Sequence, residues 1–80
     1  MRILDGEKQI PLHEVQLYLT REEASELRDK LKHLLENPEA NEHEHLISDG
    51  REMSFSIITP AKLKNLSHYS SAEQKMFKAR

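Results

Sequence analysis

His43 and His45 are the residues of this chain best placed to do chemistry. They stand one position apart in the run Glu42-His43-Glu44-His45. On a β-strand, residues i and i+2 share a face, so both imidazoles can converge on one ion. Neutral imidazole is a good ligand for zinc and other borderline metals. A site needs at least a third ligand. Glu52 is the carboxylate further along the same face of the hairpin described below, whereas the directly opposite residues, Ser54 and Ser56, are poor ligands. His43, His45 and Glu52 are therefore the candidate metal set. The simpler reading is that two histidines keep an exposed edge strand polar. The same run invites a pH-sensing reading, because protonation would change the charge of that strand. His13, His33 and His68 are scattered and support nothing specific, and His33 is expected to pair with Asp29 on the polar side of a helix.

Catalysis finds less support. The two glycines, Gly6 and Gly50, each follow an aspartate in a turn dipeptide, so there is no phosphate-cradling loop. Ser67, His68, Ser70 and Ser71 cluster in sequence, but a nucleophile needs an oriented base and an oxyanion site in space. Glu22-Glu23 reads as helix capping and not as acid–base machinery. The chain has no cysteine, which excludes disulfides, thiolate metal sites and a cysteine nucleophile. The expectation is a protein that is not an enzyme, uses no cofactor and has no evident small-molecule substrate.

The elements that must position these side chains are legible from periodicity. Asp49-Gly50 tolerates the positive φ angles of a type I′ turn, and strand-like runs flank it, so residues 43–58 read as a β-hairpin. With Asp49 and Gly50 as the turn, Ser48 faces Arg51, Ile47 faces Glu52, Leu46 faces Met53, His45 faces Ser54, Glu44 faces Phe55 and His43 faces Ser56. One face then holds Leu46, Met53, Phe55 and Ile57. The other holds His43, His45, Ile47, Ser54, Ser56 and Ile58. Glu14 to Thr20 alternates, with Val15, Leu17 and Leu19 on one side and Glu14, Gln16 and Tyr18 on the other, which predicts a half-buried strand.

The period then changes. Ala24, Leu27, Leu31, Leu34 and Leu35 make one apolar stripe on a helix over 21–36. Thr20 is its expected N-cap and Glu23 completes a capping box. Glu26 and Lys30 form a favourable i, i+4 pair, and Pro38 stops the helix by excluding Asn37 from helical geometry. Asp5-Gly6 suggests a small N-terminal hairpin, with Pro11 at a strand edge or bulge. Thr59-Pro60 signals a short helix over 61–66, and a second helical stretch is expected from Ser71 through Phe77.

These elements predict an α+β fold in the order β-α-β-β. A three-stranded antiparallel sheet, with strands 43–48, 52–59 and 14–20 as successive neighbours, packs one face on the helix, and an N-terminal hairpin extends it. Residues 1–59 form the single domain. Residues 60–80 form a basic appendage, partly helical or disordered.

Charge divides the chain the same way. Residues 1–59 carry seven basic and thirteen acidic side chains, and residues 60–80 carry Lys62, Lys64, Lys75, Lys78 and Arg80 against Glu73 alone. The tail is expected to be solvated or docked on its own acidic body. An anion-seeking arm is the alternative, but without interleaved aromatics nucleic acid is not an expected partner. No run reaches the ~20 apolar residues of a membrane span, and the start lacks a signal-peptide pattern, so a cytoplasmic protein is expected.

With 80 residues, the apolar core is thin, and a chain of this size holds only about 3–5 kcal/mol without a staple or partner. Tyr18, Ile47 and Ile58 are left on the sheet face away from the helix. Leu63, Leu66 and Tyr69 of the tail could fold over them, or a partner could. These six residues are the candidate partner-binding surface of a non-catalytic interaction module, either a homodimer or an accessory to another protein. Metal binding through His43 and His45, and weak anion binding through the tail, are the alternatives.

Overall fold

The computed structural model of the chain describes residues 1–79, and Arg80 of the basic tail lies outside them. In chain order the described elements are β1 (Ile3–Asp5), β2 (Ile10–Leu12), α1 (Arg21–Glu36), β3 (Glu44–Ser48), β4 (Arg51–Phe55), α2 (Pro60–Leu63) and α3 (Ser71–Lys78).

Helix α1 begins where its capping residues place it. Glu23 N–H donates to Thr20 Oγ1 at 3.1 Å, and Thr20 N–H donates back to Glu23 Oε1 at 2.8 Å. Two of the helix's orphan donors are thereby satisfied by residues three apart. The Lys30 ammonium lies 2.9 Å from Glu26 across one turn. The helix ends at Glu36 with Asn37 as C-cap, as Pro38 requires.

Strands β3 and β4 pair antiparallel in the register set by a two-residue turn: Ser48↔Arg51, Ile47↔Glu52, Leu46↔Met53, His45↔Ser54 and Glu44↔Phe55. Asp49 and Gly50 both carry positive φ, 52° and 71°, as a type I′ connection demands. Helix α1 packs along β3. The Lys30 ammonium donates to the His45 carbonyl, and His33 lies beside Glu42 and Glu44. As residue numbers rise along α1 they fall along β3, so the two run antiparallel. Their contact buries Leu34 and Leu46, 3% and 6% exposed. Each such leucine contributes about 1.5–3 kcal/mol.

The predicted three-stranded sheet does not form. The chain has two separate two-stranded antiparallel sheets, β1–β2 and β3–β4. Residues 14–20 run without turn, bend or bridge and are exposed throughout. The reason lies at Thr20. A strand beside β4 would have to reverse before α1 could run back along β3, and such connections take about 2–6 residues. Thr20 is itself the N-cap, so none remain. Strand β4 is therefore the edge of a ribbon and not the centre of a sheet.

The narrow ribbon has a second consequence. An apolar stripe as broad as that of α1 needs more than one strand beneath it. Leu34 is buried and Leu27 half-buried, while Ala24, Leu31 and Leu35 stay exposed. His33 also differs from expectation. It faces Glu36, Glu42 and Glu44 at 3.9, 3.5 and 3.9 Å, while Asp29 is taken by Arg28 at 3.0 Å.

The N-terminal hairpin forms with a longer loop than Asp5-Gly6 alone provides. Its register is Ile3↔Leu12, Leu4↔Pro11 and Asp5↔Ile10. The C-terminal segment closes on this hairpin. Ser70 caps α3 through a reciprocal box with Glu73. The Phe77 ring stacks edge-on against Tyr69 with centroids 4.8 Å apart, and the Arg2 guanidinium sits over Phe77 at 5.9 Å. Among the described residues no ion pair joins the basic tail to the acidic body; the Arg2–Phe77 contact and a hydrogen bond from the Ser70 hydroxyl to Gln9 Oε1 at 3.5 Å link it to the N-terminal hairpin.

Candidate functional site

The outer side of the β3–β4 ribbon carries the candidate metal residues. His45 Nδ1 lies 2.7 Å from Glu52 Oε2 and 2.8 Å from Ser54 Oγ. The His43 and His45 rings meet edge-on with centroids 4.8 Å apart. The strand period places all four side chains on one face, and the two-residue turn sets Glu52 diagonal to His45. Among the described residues no three His, Asp or Glu side chains converge as a metal shell.

The His45–Glu52–Ser54 cluster has the residue types of a hydrolytic relay without its wiring. A relay needs one ring nitrogen for the carboxylate and the other for the hydroxyl. Here Nδ1 meets both, and the Ser54 hydroxyl itself donates to Glu52 at 3.3 Å. The cluster ties the two strands together at an exposed position.

A cleft of about 560 Å³ opens between this ribbon face and the C-terminal segment, lined among others by His43, His45, His68, Lys62 and Tyr69. His68 joins the other two histidines there although sequence spacing gave no reason to group it with them. The signal was a tertiary one, the return of residues 66–70 after α2. Lys62, placed as an anion contact by charge alone, is half-buried and donates to the Ile57 carbonyl at 2.7 Å. Lys75 and Lys78 occupy the last turn of α3, where positive charge complements the helix dipole. Lys64 is the C-cap of α2.

The six candidate partner-binding residues divide into two groups. Tyr18 is 86% exposed on the extended segment, and Ile47 is 66% exposed on the outer side of β3. Ile58 is half-buried beyond β4, and Leu63, Leu66 and Tyr69 are half-buried in the C-terminal segment. That segment meets the N-terminal hairpin and leaves Tyr18 and Ile47 open.

The extended segment has the side-chain order of a strand. Tyr18 Oη donates to Gln16 Oε1 at 3.0 Å, and Gln16 Nε2 donates to Glu14 Oε2 at 3.4 Å. A row of contacts at i, i+2 and i+4 requires all three side chains on one side. Val15, Leu17 and Leu19 take the other side and are all exposed. Among the described residues no backbone hydrogen bond is made by residues 13–19.

Surface and dimensions agree. The protein, at 9.4 kDa, exposes 6666 Å², roughly a third more than the ~5,000 Å² of a folded monomer of this mass. Its radius of gyration is 13.4 Å, against ~11.6 Å for a compact domain of this length. No helix among the described residues is long and apolar enough to cross a membrane. Comparison with protein-family models, with curated proteins and with solved structures finds no match to this chain.

Proposed function

We propose that this chain is a non-catalytic interaction module that associates with a second copy of itself. The observation that carries this reading is the exposed area. With 6666 Å² accessible, the chain shows about 1,700 Å² beyond the expectation for a monomer. A standard interface takes only about 800 Å² from each partner. Among the described residues only Leu34 and Leu46 are buried, whereas Val15, Leu17, Tyr18, Leu31, Leu35 and Ile47 are exposed. Association is the physical route by which so thin a core gains apolar burial. The absence of cysteine fits a reducing compartment such as the cytoplasm.

Sedimentation equilibrium of the full chain tests the reading. The expected result is a weight-average mass that rises toward twice the monomer value as concentration increases to about 500 µM, the range that detects a weak dimer. A constant monomer mass over that range overturns self-association and leaves the open surface to a different protein.

A further inference from the structure

Resting on that reading, we infer that the second copy binds along residues 14–20, which pair antiparallel with the same residues of the partner about a two-fold axis through Leu17. The segment runs without turn or bend, and its side-chain contacts fall at the spacing of a strand. Glu14, Gln16 and Tyr18 form a hydrogen-bonded row along one side, and the chain does not bend between Glu14 and Thr20. What it lacks is a neighbour. An extended backbone with a row of free donors and acceptors is a template for another strand.

The pattern of residues selects the occupant and the register. In an antiparallel pair, opposed residues share a face. A two-fold axis through Leu17 opposes Glu14 to Thr20, Val15 to Leu19 and Gln16 to Tyr18, with Leu17 opposed to itself. Both apolar sides then merge into one strip of six side chains, and the two rows of polar side chains lie together on the other. No like charges are opposed: the acidic Glu14 of each copy meets a neutral threonine. A slip by one residue would set Leu17 against Tyr18 and mix the two sides throughout, the penalty that normally fixes register. A heterologous strand would have to reproduce this alternation, whereas a second copy supplies it by symmetry.

A pair of strands is marginal in water by itself. The expected assembly is therefore a dimer that exchanges and dissociates on dilution, not an obligate one.

Because the chain has no cysteine, a single introduced thiol reports its own neighbourhood. Leu17→Cys, Tyr18→Cys and Ile47→Cys should be oxidised in parallel in the full chain and followed on a non-reducing gel. All three positions are exposed, at 50%, 86% and 66%, so none of the substitutions removes core packing. Under the proposed pairing the two thiols of a Leu17→Cys dimer lie opposite each other across the axis. The covalent dimer of that variant then forms about tenfold faster than those of the other two, as the local concentration of an aligned partner thiol requires. Random collision follows exposure and puts Tyr18→Cys and Ile47→Cys ahead. That order, or equal rates, overturns the pairing. Wild-type sedimentation separates the two failures. A dimer with the wrong cross-linking order removes only the strand pairing, while a monomer removes self-association with it.

Discussion

The two β-hairpins carry the same dipeptide near their turns and use it differently. Between β3 and β4, Asp49 and Gly50 are the whole connection, and both take positive φ. Between β1 and β2, Asp5 belongs to the strand, the chain turns over residues 6–9, and Gln9 takes the positive φ of 57°. The Asp5 carboxylate accepts from the N–H groups of Glu7 and Lys8 at 3.0 and 2.9 Å, and Gln9 N–H closes on the Asp5 carbonyl at 2.8 Å. The dipeptide permits a tight turn at both places. The flanking pairs decide. A tight turn at 5–6 would set Leu4 against Glu7 and Ile3 against Lys8. The longer loop instead opposes Ile3 to Leu12 and Leu4 to Pro11, apolar to apolar, which is the pairing that stabilises a ribbon. At 49–50 the tight turn already opposes Leu46 to Met53, and α1 seals that side.

The largest expected difference between the hairpins is therefore in packing. Leu46→Ala removes half of the buried pair and should cost about 2–4 kcal/mol. That approaches the ~3–5 kcal/mol available to a chain of this size, so cooperative thermal unfolding followed by circular dichroism should be lost or nearly so. Leu4→Ala, in the half-buried first strand, should cost about 1 kcal/mol, nearer the middle of the mutational range. Equal losses would mean that the N-terminal hairpin carries as much of the core as β3, and the contrast between them would fail.

The same contrast explains what was legible in the sequence. Helix α1, its capping box at Thr20 and Glu23, and every pair of the β3–β4 ladder were readable because each rests on neighbours in sequence or on a two-residue turn. The placement of residues 14–20 was not. Their alternation predicts a half-buried strand, whereas the segment is unpaired and exposed throughout; pairing depends on where α1 starts, and a cap directly at Thr20 leaves no chain with which to turn. The exposure of Leu31 and Leu35 follows from the missing third strand. The grouping of His68 with His43 and His45 depends on the return of the C-terminal segment, for which spacing holds no signal. The last helix was expected from Ser71 through Phe77 and runs from Ser71 to Lys78, with a Ser70–Glu73 capping box that the sequence reading did not identify.

Two middle-sized effects sharpen the comparison. Thr20→Ala should cost about 1 kcal/mol, the usual loss of an N-cap, read as a lower urea midpoint at an unchanged slope. Gly50→Ala should cost about as much, because a β-carbon at φ 71° is strained. Gly6→Ala should be close to neutral. Neither position brings an added β-carbon within 4 Å of another group, so steric crowding cannot separate the two variants. Only the backbone conformation differs. A Gly6→Ala loss equal to that of Gly50→Ala would mean that the first turn also needs a left-handed residue at its glycine.

The smallest expected effect compares two carboxylates, one from each region. The Ser48 hydroxyl, followed by the Thr20 backbone, holds the Glu23 carboxyl below its ordinary range. The Lys8 N–H, assisted by that of Glu7, does the same for Asp5. A carboxyl lowered in the folded state binds its proton more readily in the unfolded chain. The stability it contributes is complete above the unfolded value, about pH 4, and is lost as pH falls through the folded one. Urea titrations at neutral and acid pH should thus show the wild type weakening with acid, and Glu23→Gln and Asp5→Asn weakening less. The two differ in reach. Asp5 organises a loop through residues two and three positions away, whereas Glu23 caps the start of α1, the helix that packs along β3. Removing its charge should therefore flatten the acid response of the α1–β3–β4 unit, read at the Leu34 and Leu46 methyl resonances, while Asp5→Asn leaves those resonances with the wild-type response. A common response of both variants at these two leucines would show that the hairpins unfold as one body.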